Sequence, residues 1–204
     1  EIPKVDALEK ASGEARYGAD LPLSEAIYLK VIRSPKPHAK IVRIDTDQAL
    51  KVPGVLRIFT EKDIPGKNLV GTITKDQPVL ASDRVRYIGD PVLLIAARTE
   101  EALDEAAKKV IVVYDDLPCI NHPEEALLPY APLIHEKGNL LLEFHVIKDD
   151  VQRGFKDAEV MVEETYTTTW VDHAYLEPDA GVASWDEEGR VAVACPTQNV
   201  HYDQ

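Results

Sequence analysis

His173-Ala174-Tyr175-Leu176-Glu177-Pro178 sets an imidazole and a carboxylate close together in sequence, the pair that a metal site or an acid–base relay would use. The pair lacks further obvious ligands, so both read as structural residues at a strand exit. His38, alone in Ser34-Pro35-Lys36-Pro37-His38-Ala39, reads likewise as a hydrogen-bonded loop residue. Cys119 follows Pro118 with no neighbouring cation to favour a thiolate, and Cys195 lies in an alternating segment as a small buried hydrophobe. These 2 cysteines are too few for a disulfide framework. They are also too few for an iron–sulfur cluster, which takes about four thiolates. The chain has no GxSxG, GxGxxG or GxxxxGK[ST] segment, which removes a nucleophile elbow, a dinucleotide loop and a P-loop. These residues alone assign no catalytic group and no metal site.

The elements that would position such residues are clearest from Val85 to Pro118. Gly89-Asp90-Pro91 opens the apolar run Val92 to Ala97, whose length and Val/Ile content predict a strand covered on both faces. Thr99 offers an N-cap hydroxyl, and Glu100, Glu101 and Asp104 place negative charge near the positive end of a helix dipole. Ala102, Leu103, Ala106, Ala107 and Val110 then form a narrow small-residue face. Val110 to Tyr114 is a second strand, giving a βαβ-like unit with a right-handed crossover if its strands pair in parallel.

Before that unit the reading is of short elements. Residues 5–10 form a short helix or a frayed leader, and Gly13 to Pro22 a turn-rich lead-in. A central strand follows over Ala26 to Ser34, then a Pro-broken crossing and the strand Ile41 to Asp45. Thr46 or Asp47 caps a short helix to Leu50, Val55 to Thr60 is a strand, and Glu61 to Gly66 is one helical turn or a loop. After Pro118, Pro123, Pro129, Pro132 and Gly138 interrupt the pattern around a short helix Glu124 to Leu128, marking a linker over residues 121–142. Asp149 or Asp150 caps a helix to Asp157 that buries Val151, Phe155 and Ala158. Ala158 to Trp170 reads as a long strand, and Gly181–Trp185 with Val191–Cys195 as a hairpin around Gly189. The class is α+β, with the second half mainly sheet.

A net charge of -13 repels phosphate backbones and argues against nucleic-acid binding. No apolar run approaches the roughly 20 residues that span a bilayer, and Glu1 to Lys10 lacks a secretory pattern, so a cytoplasmic protein is expected. With 45% hydrophobic residues the chain can pack a core.

Several motifs occur in one order: Gly13-Glu14-Ala15-Arg16-Tyr17, Arg33-Ser34-Pro35 with Pro37-His38-Ala39 and Ile41, Pro53-Gly54-Val55, and Val85-Arg86-Tyr87-Ile88-Gly89-Asp90-Pro91-Val92. Val112, Tyr114 and Leu117-Pro118 follow, then His173 with Glu177-Pro178, and Thr197-Gln198-Asn199. In these the chain resembles, over nearly its whole length, the large molybdenum-binding subunit of the xanthine dehydrogenase and aldehyde oxidase family. The resemblance implies an α/β hammerhead domain over residues 12–120, the linker over 121–142, and a mainly β start of the molybdopterin-binding domain over 143–204.

The resemblance further implies that Gln198 is the glutamine whose amide hydrogen-bonds the oxo ligand of molybdenum. The family's later glycine-rich cofactor loop and late catalytic glutamate match nothing here. The expectation is therefore an N-terminal piece of a subunit, with no catalytic residue or metal ligand of its own and no turnover alone. For the complete enzyme the resemblance implies hydroxylation of a purine, another N-heterocycle or an aldehyde with water-derived oxygen. It implies molybdenum–molybdopterin in the cytosine dinucleotide form, iron–sulfur clusters and FAD on partner subunits or domains, and the rest of the large subunit as partner. The rival expectation is a non-catalytic hammerhead module for assembly or cofactor handling.

Overall fold

The apolar run from Val92 to Ala97 lies inside the strand Pro91–Ala97, which is buried on both faces and takes the middle of a three-stranded sheet. The computed structural model describes residues 2, 4–21 and 25–203; Glu1 and Pro3 of the leader and Pro22 of the lead-in lie outside the described residues. In chain order the elements are α1 (Ala7–Ser12), β1 (Tyr28–Arg33), β2 (Ala39–Asp45), β3 (Val55–Phe59), β4 (Leu69–Val70), β5 (Gln77–Pro78), β6 (Arg84–Val85) and β7 (Pro91–Ala97). They continue with α2 (Glu100–Ala107), β8 (Ile111–Asp116), α3 (Pro123–Ala126), α4 (Val151–Asp157), β9 (Val182–Trp185), β10 (Val191–Ala194) and α5 (Val200–Asp203). The class is α+β. Two compact units are present, Glu25–Asp149 and the combination of Glu1–Ser24 with Asp150–Gln204.

In the Glu25–Asp149 unit one sheet has the order β1-β7-β3 and another β6-β2-β8, with every pair antiparallel. Alternation along β7 divides its side chains between two clusters. Leu93, Ile95 and Ala97 pack with Ala49, Val52 and the α2 residues Ala102, Leu103 and Ala106, whereas Val92 packs with Ala39, Ala81 and Val85. Thr99 caps α2 by accepting the Ala102 N–H at 3.2 Å, and the small-residue face lets the helix lie close to the sheet.

Three expectations change here. The strands flanking α2 do not pair: β1 and β3 occupy both edges of β7, so the chain leaving α2 enters the other sheet beside β2. The strand expected to be central, β1, is an edge, because Lys30 and Arg33 interrupt its apolar character and exclude cover on both faces. The helix expected from Thr46 to Leu50 is one turn closed by the Leu50 N–H on the Thr46 carbonyl, and Pro53 supplies no N–H to continue it.

In the unit formed by Glu1–Ser24 and Asp150–Gln204, the hairpin β9-β10 forms in the expected register, pairing Val191 with Trp185 and Ala194 with Val182. Asp150 caps α4 by accepting the Arg153 N–H at 3.0 Å. The expected strand from Ala158 to Trp170 carries no strand, since a ladder needs a partner and no described segment pairs with it. Val151 and Phe155 of α4 are exposed instead of buried, as is Ala158. Cys195 is exposed too, because no second layer covers the two-stranded hairpin. The buried hydrophobic residues all lie between Ala39 and Ala106 among the described residues.

The packing of α2 on β7 predicts that Leu103→Ala lowers stability by about 2–5 kcal/mol, by lost burial and a residual cavity. Leu29→Ala, at an exposed β1 position, should change it by no more than about 0.5 kcal/mol. Urea unfolding monitored by circular dichroism distinguishes them; equal losses would refute the α2 contact as the core.

Candidate functional site

Gln198 follows β10 in the turn that leads into α5. Asp186 organises the hairpin before it, accepting the Arg190 N–H at 2.8 Å and the Glu188 N–H at 3.0 Å through Oδ1, and Arg190 Nε at 2.7 Å through Oδ2. The Arg190 backbone bond, followed by its guanidinium, holds the Asp186 carboxyl below the usual range. Beyond the hairpin, Thr197 Oγ1 accepts the Asn199 N–H at 3.0 Å, and Asn199 Oδ1 accepts the Tyr202 N–H at 3.2 Å. These side chains fix the backbone on both sides of Gln198. The Gln198 amide itself is exposed and makes no hydrogen bond among the described residues, so its donor hydrogens are free for a ligand.

The other residues singled out by type fall into structural places. The His173 ring stacks on Tyr175 with centroids 5.6 Å apart and planes 6° apart, and its backbone N–H donates to Asp172 Oδ1 at 2.9 Å. Glu177 is half-buried and acts electrostatically on Lys10 of α1. The two therefore serve different neighbours. Among the described residues no three His, Cys, Asp or Glu side chains converge as a metal site. Nearby, Gly18 passes so close to the Ala180 carbonyl that a Cβ would lie 2.9 Å from its oxygen, which demands glycine.

His38 is 4% exposed, and its Nδ1 lies 2.6 Å from the Pro118 carbonyl oxygen. A carbonyl only accepts, so Nδ1 carries the hydrogen of this bond. The Leu117 N–H returns to the His38 carbonyl at 3.0 Å, clamping the start of β2 to the end of β8. Cys119 stands just beyond, exposed.

Asp90 belongs to a turn in the sequence, yet in the fold it is 1% exposed. Its Oδ2 accepts the Arg86 N–H at 2.9 Å, while Oδ1 has no partner. Burial pushes its carboxyl above the usual range, against the opposing Arg86 bond and charge. Ser34, His38 and Asp90 are the buried polar residues of the Glu25–Asp149 unit, and burial pushes the Tyr114 phenol up, against the opposing effect of Ser34. The sequence signal for Asp90 was its place between Gly89 and Pro91, where a buried strand begins.

A raised carboxyl favours the protonated form in the fold. Its contribution to stability is full at low pH and is lost as pH rises through the folded pKa. Asp90→Asn retains an acceptor for Arg86 and removes the ionisation. The difference in unfolding free energy between Asp90→Asn and the parent chain should therefore grow in favour of the variant with rising pH and then level off. A difference independent of pH would show that the Asp90 carboxyl titrates alike in the folded and unfolded chain, so that burial does not raise it.

Two family models match successive parts of the chain. Residues 12–118 match the family model described as aldehyde oxidase and xanthine dehydrogenase, a/b hammerhead domain, and residues 134–204 match the molybdopterin cofactor-binding domain. The nicotinate dehydrogenase large molybdopterin subunit of Eubacterium barkeri is 40% identical over 201 residues, covering 98% of this chain and 47% of that protein. The xanthine dehydrogenase molybdenum-binding subunit of Escherichia coli O157:H7 is 33% identical over 208 residues, covering 97% of this chain and 28% of that one. The aldehyde oxidoreductase of Desulfovibrio gigas superposes with a TM-score of 0.82 at 30% identity, covering 95% of this chain and 23% of that chain. The chain thus spans less than half the length of each.

Proposed function

The chain belongs to the aldehyde oxidase and xanthine dehydrogenase family, and on that premise we propose that it supplies the hammerhead and the first cofactor-binding residues of a molybdenum hydroxylase large subunit. The observation that carries this reading is the succession of the two family matches along one chain. The reaction is hydroxylation of a carbon in a purine, another N-heterocycle or an aldehyde. We assign residues 12–120 to the hammerhead domain, 121–142 to a linker and 143–204 to the beginning of the molybdopterin-binding domain. No helix of the described residues is long and apolar enough to cross a membrane, and the proposed site of action is the cytoplasm.

Molybdenum–molybdopterin, in the cytosine dinucleotide form, would supply the oxygen-transfer and electron-accepting chemistry when bound. Gln198 is the residue of this chain that would hold it, by donating an amide hydrogen to an oxygen ligand of the metal. The exposed, uncommitted Gln198 amide on a backbone fixed by Thr197 and Asn199 suits that role. The general base and the remaining cofactor contacts come from the rest of the large subunit. Iron–sulfur clusters and FAD on partner subunits or domains would supply the onward electron transfer.

Gln198→Ala should lower turnover of the complete enzyme about ten- to a hundredfold, the value of roughly 1.5–3 kcal/mol for a hydrogen bond to a charged group. Molybdenum content, measured by mass spectrometry, should stay within a factor of about two if the bond orients the cofactor more than it retains it. The melting temperature of this chain should not move, because the amide bonds nothing within it. An unchanged rate with a lowered melting temperature would make Gln198 a structural amide and overturn the assignment.

A further inference from the structure

A cavity of about 530 Å³ opens within the Glu25–Asp149 unit, walled by residues around β5, by the turn Arg86 to Asp90 and by the segment His135 to Leu141. Its frame is braced. Asn139 donates through Nδ2 to the Ala126 and Pro132 carbonyls at 3.1 and 3.0 Å, and its Oδ1 accepts the Ile134 N–H at 2.9 Å. Arg86 Nε donates to the Ile134 carbonyl at 3.2 Å. His135 Nδ1 lies 3.0 Å from Asp76 Oδ2, joining the segment to the β4-β5 hairpin.

Charged side chains of both signs line this cavity. Asp76 Oδ2 contacts the His135 ring, and Asp90 is buried with Oδ2 committed to the Arg86 N–H. Arg86 and Lys137 also line the cavity, yet neither forms an ion pair among the described residues. With Nε occupied, the two terminal nitrogens of Arg86 remain, the edge of a guanidinium that takes a carboxylate in a two-point bond. Two cations with no carboxylate at ion-pair distance beside one cavity stand out in a chain whose net charge is -13, although the charge of Arg86 also acts on Asp90 and Asp83. Pro78, Tyr87, Leu140 and Leu141 complete the lining with apolar surface. The volume is in the range of small-molecule sites, roughly 300–1,000 Å³.

We propose that this cavity binds a small organic carboxylate with a flat apolar body, its carboxylate on Arg86 and Lys137 and its body against Tyr87, Leu140 and Leu141. This site is separate from the cofactor reading and stands or falls without it.

Benzoate is the probe. Titrated into the nitrogen-15-labelled chain, it should produce saturable shifts of the backbone amides of residues 86–90 and 135–141. Benzamide, equal in shape and without charge, should bind at least about tenfold more weakly, as should benzoate to Arg86→Gln, through the lost charged hydrogen bonds. Because Arg86 also braces Ile134, Lys137→Gln is measured alongside and should weaken benzoate with unchanged dispersion of the spectrum. In the complete enzyme, Lys137 should react with an amine-specific acylating reagent and benzoate should protect it. Absent shifts, shifts mapping elsewhere, equal affinity for benzamide, or an unreactive Lys137 covered by another part of the enzyme would each overturn the proposal.

Discussion

Two backbone hydrogen bonds at Ser34 hold the Glu25–Asp149 unit in its arrangement: its N–H donates to the Asp90 carbonyl at 2.9 Å and its carbonyl accepts the Gly89 N–H at 2.8 Å. They join the end of β1 to the start of β7 at a point where both segments are leaving the sheet. Ser34 and Asp90 are buried, so water cannot replace these bonds if they break. Arg33 adds a third connection from Nη1 to the Gly89 carbonyl at 2.9 Å, and the Ala81 N–H reaches the Pro91 carbonyl at 2.7 Å. Gly89 has a φ of +100°, which a side chain would strain. The family motifs around Arg33-Ser34 and Gly89-Asp90-Pro91 are thus two halves of one knot, and their chemistry is that of holding strands.

The same knot governs both sheets. β7 can bury both faces because its entry is fixed and its edges are filled by β1 and β3. The His38 clamp does the corresponding work for β2 and β8 through Pro118 and Leu117. Exposed ion pairs such as Lys30 with Asp104 and Lys36 with Asp116 lie around this frame and add little individually. Shape comes from buried apolar alternation and a few enclosed polar bonds, with charge mostly at the surface.

What the sequence made legible was local. Thr99 and Asp150 are caps because a hydroxyl or carboxylate at that position meets an N–H three residues on, and the β9-β10 hairpin follows from alternation around Asp186 to Gly189. Pairing between distant strands has no such signature, so neither the edge place of β1 nor the separation of β7 from β8 could be read from periodicity. Phe155 and Cys195 have the residue types of a core, but burial needs a covering layer that their own spacing does not specify. Gln198 is a further case: nothing in its neighbours marks an amide as functional, and family resemblance alone drew attention to it. Asp90 was visible as a turn residue, while its place in the fold is held by a backbone bond from Ser34, which is remote in sequence.

The close passage of Gly18 over the Ala180 carbonyl bears on the order in which the molecule is made. Gly18 leaves the ribosome about 160 residues ahead of Ala180, so at roughly 5–20 residues per second it waits on the order of 10–30 s for its partner. The intervening stretch contains the whole Glu25–Asp149 unit, whose contacts are internal and can form during that delay. The segment around Gly18 is then among the last of its unit to settle, and during this interval the nascent chain holds that segment open to chaperones and proteases. A glycine is what lets the late closure occur without rearranging a backbone already in place.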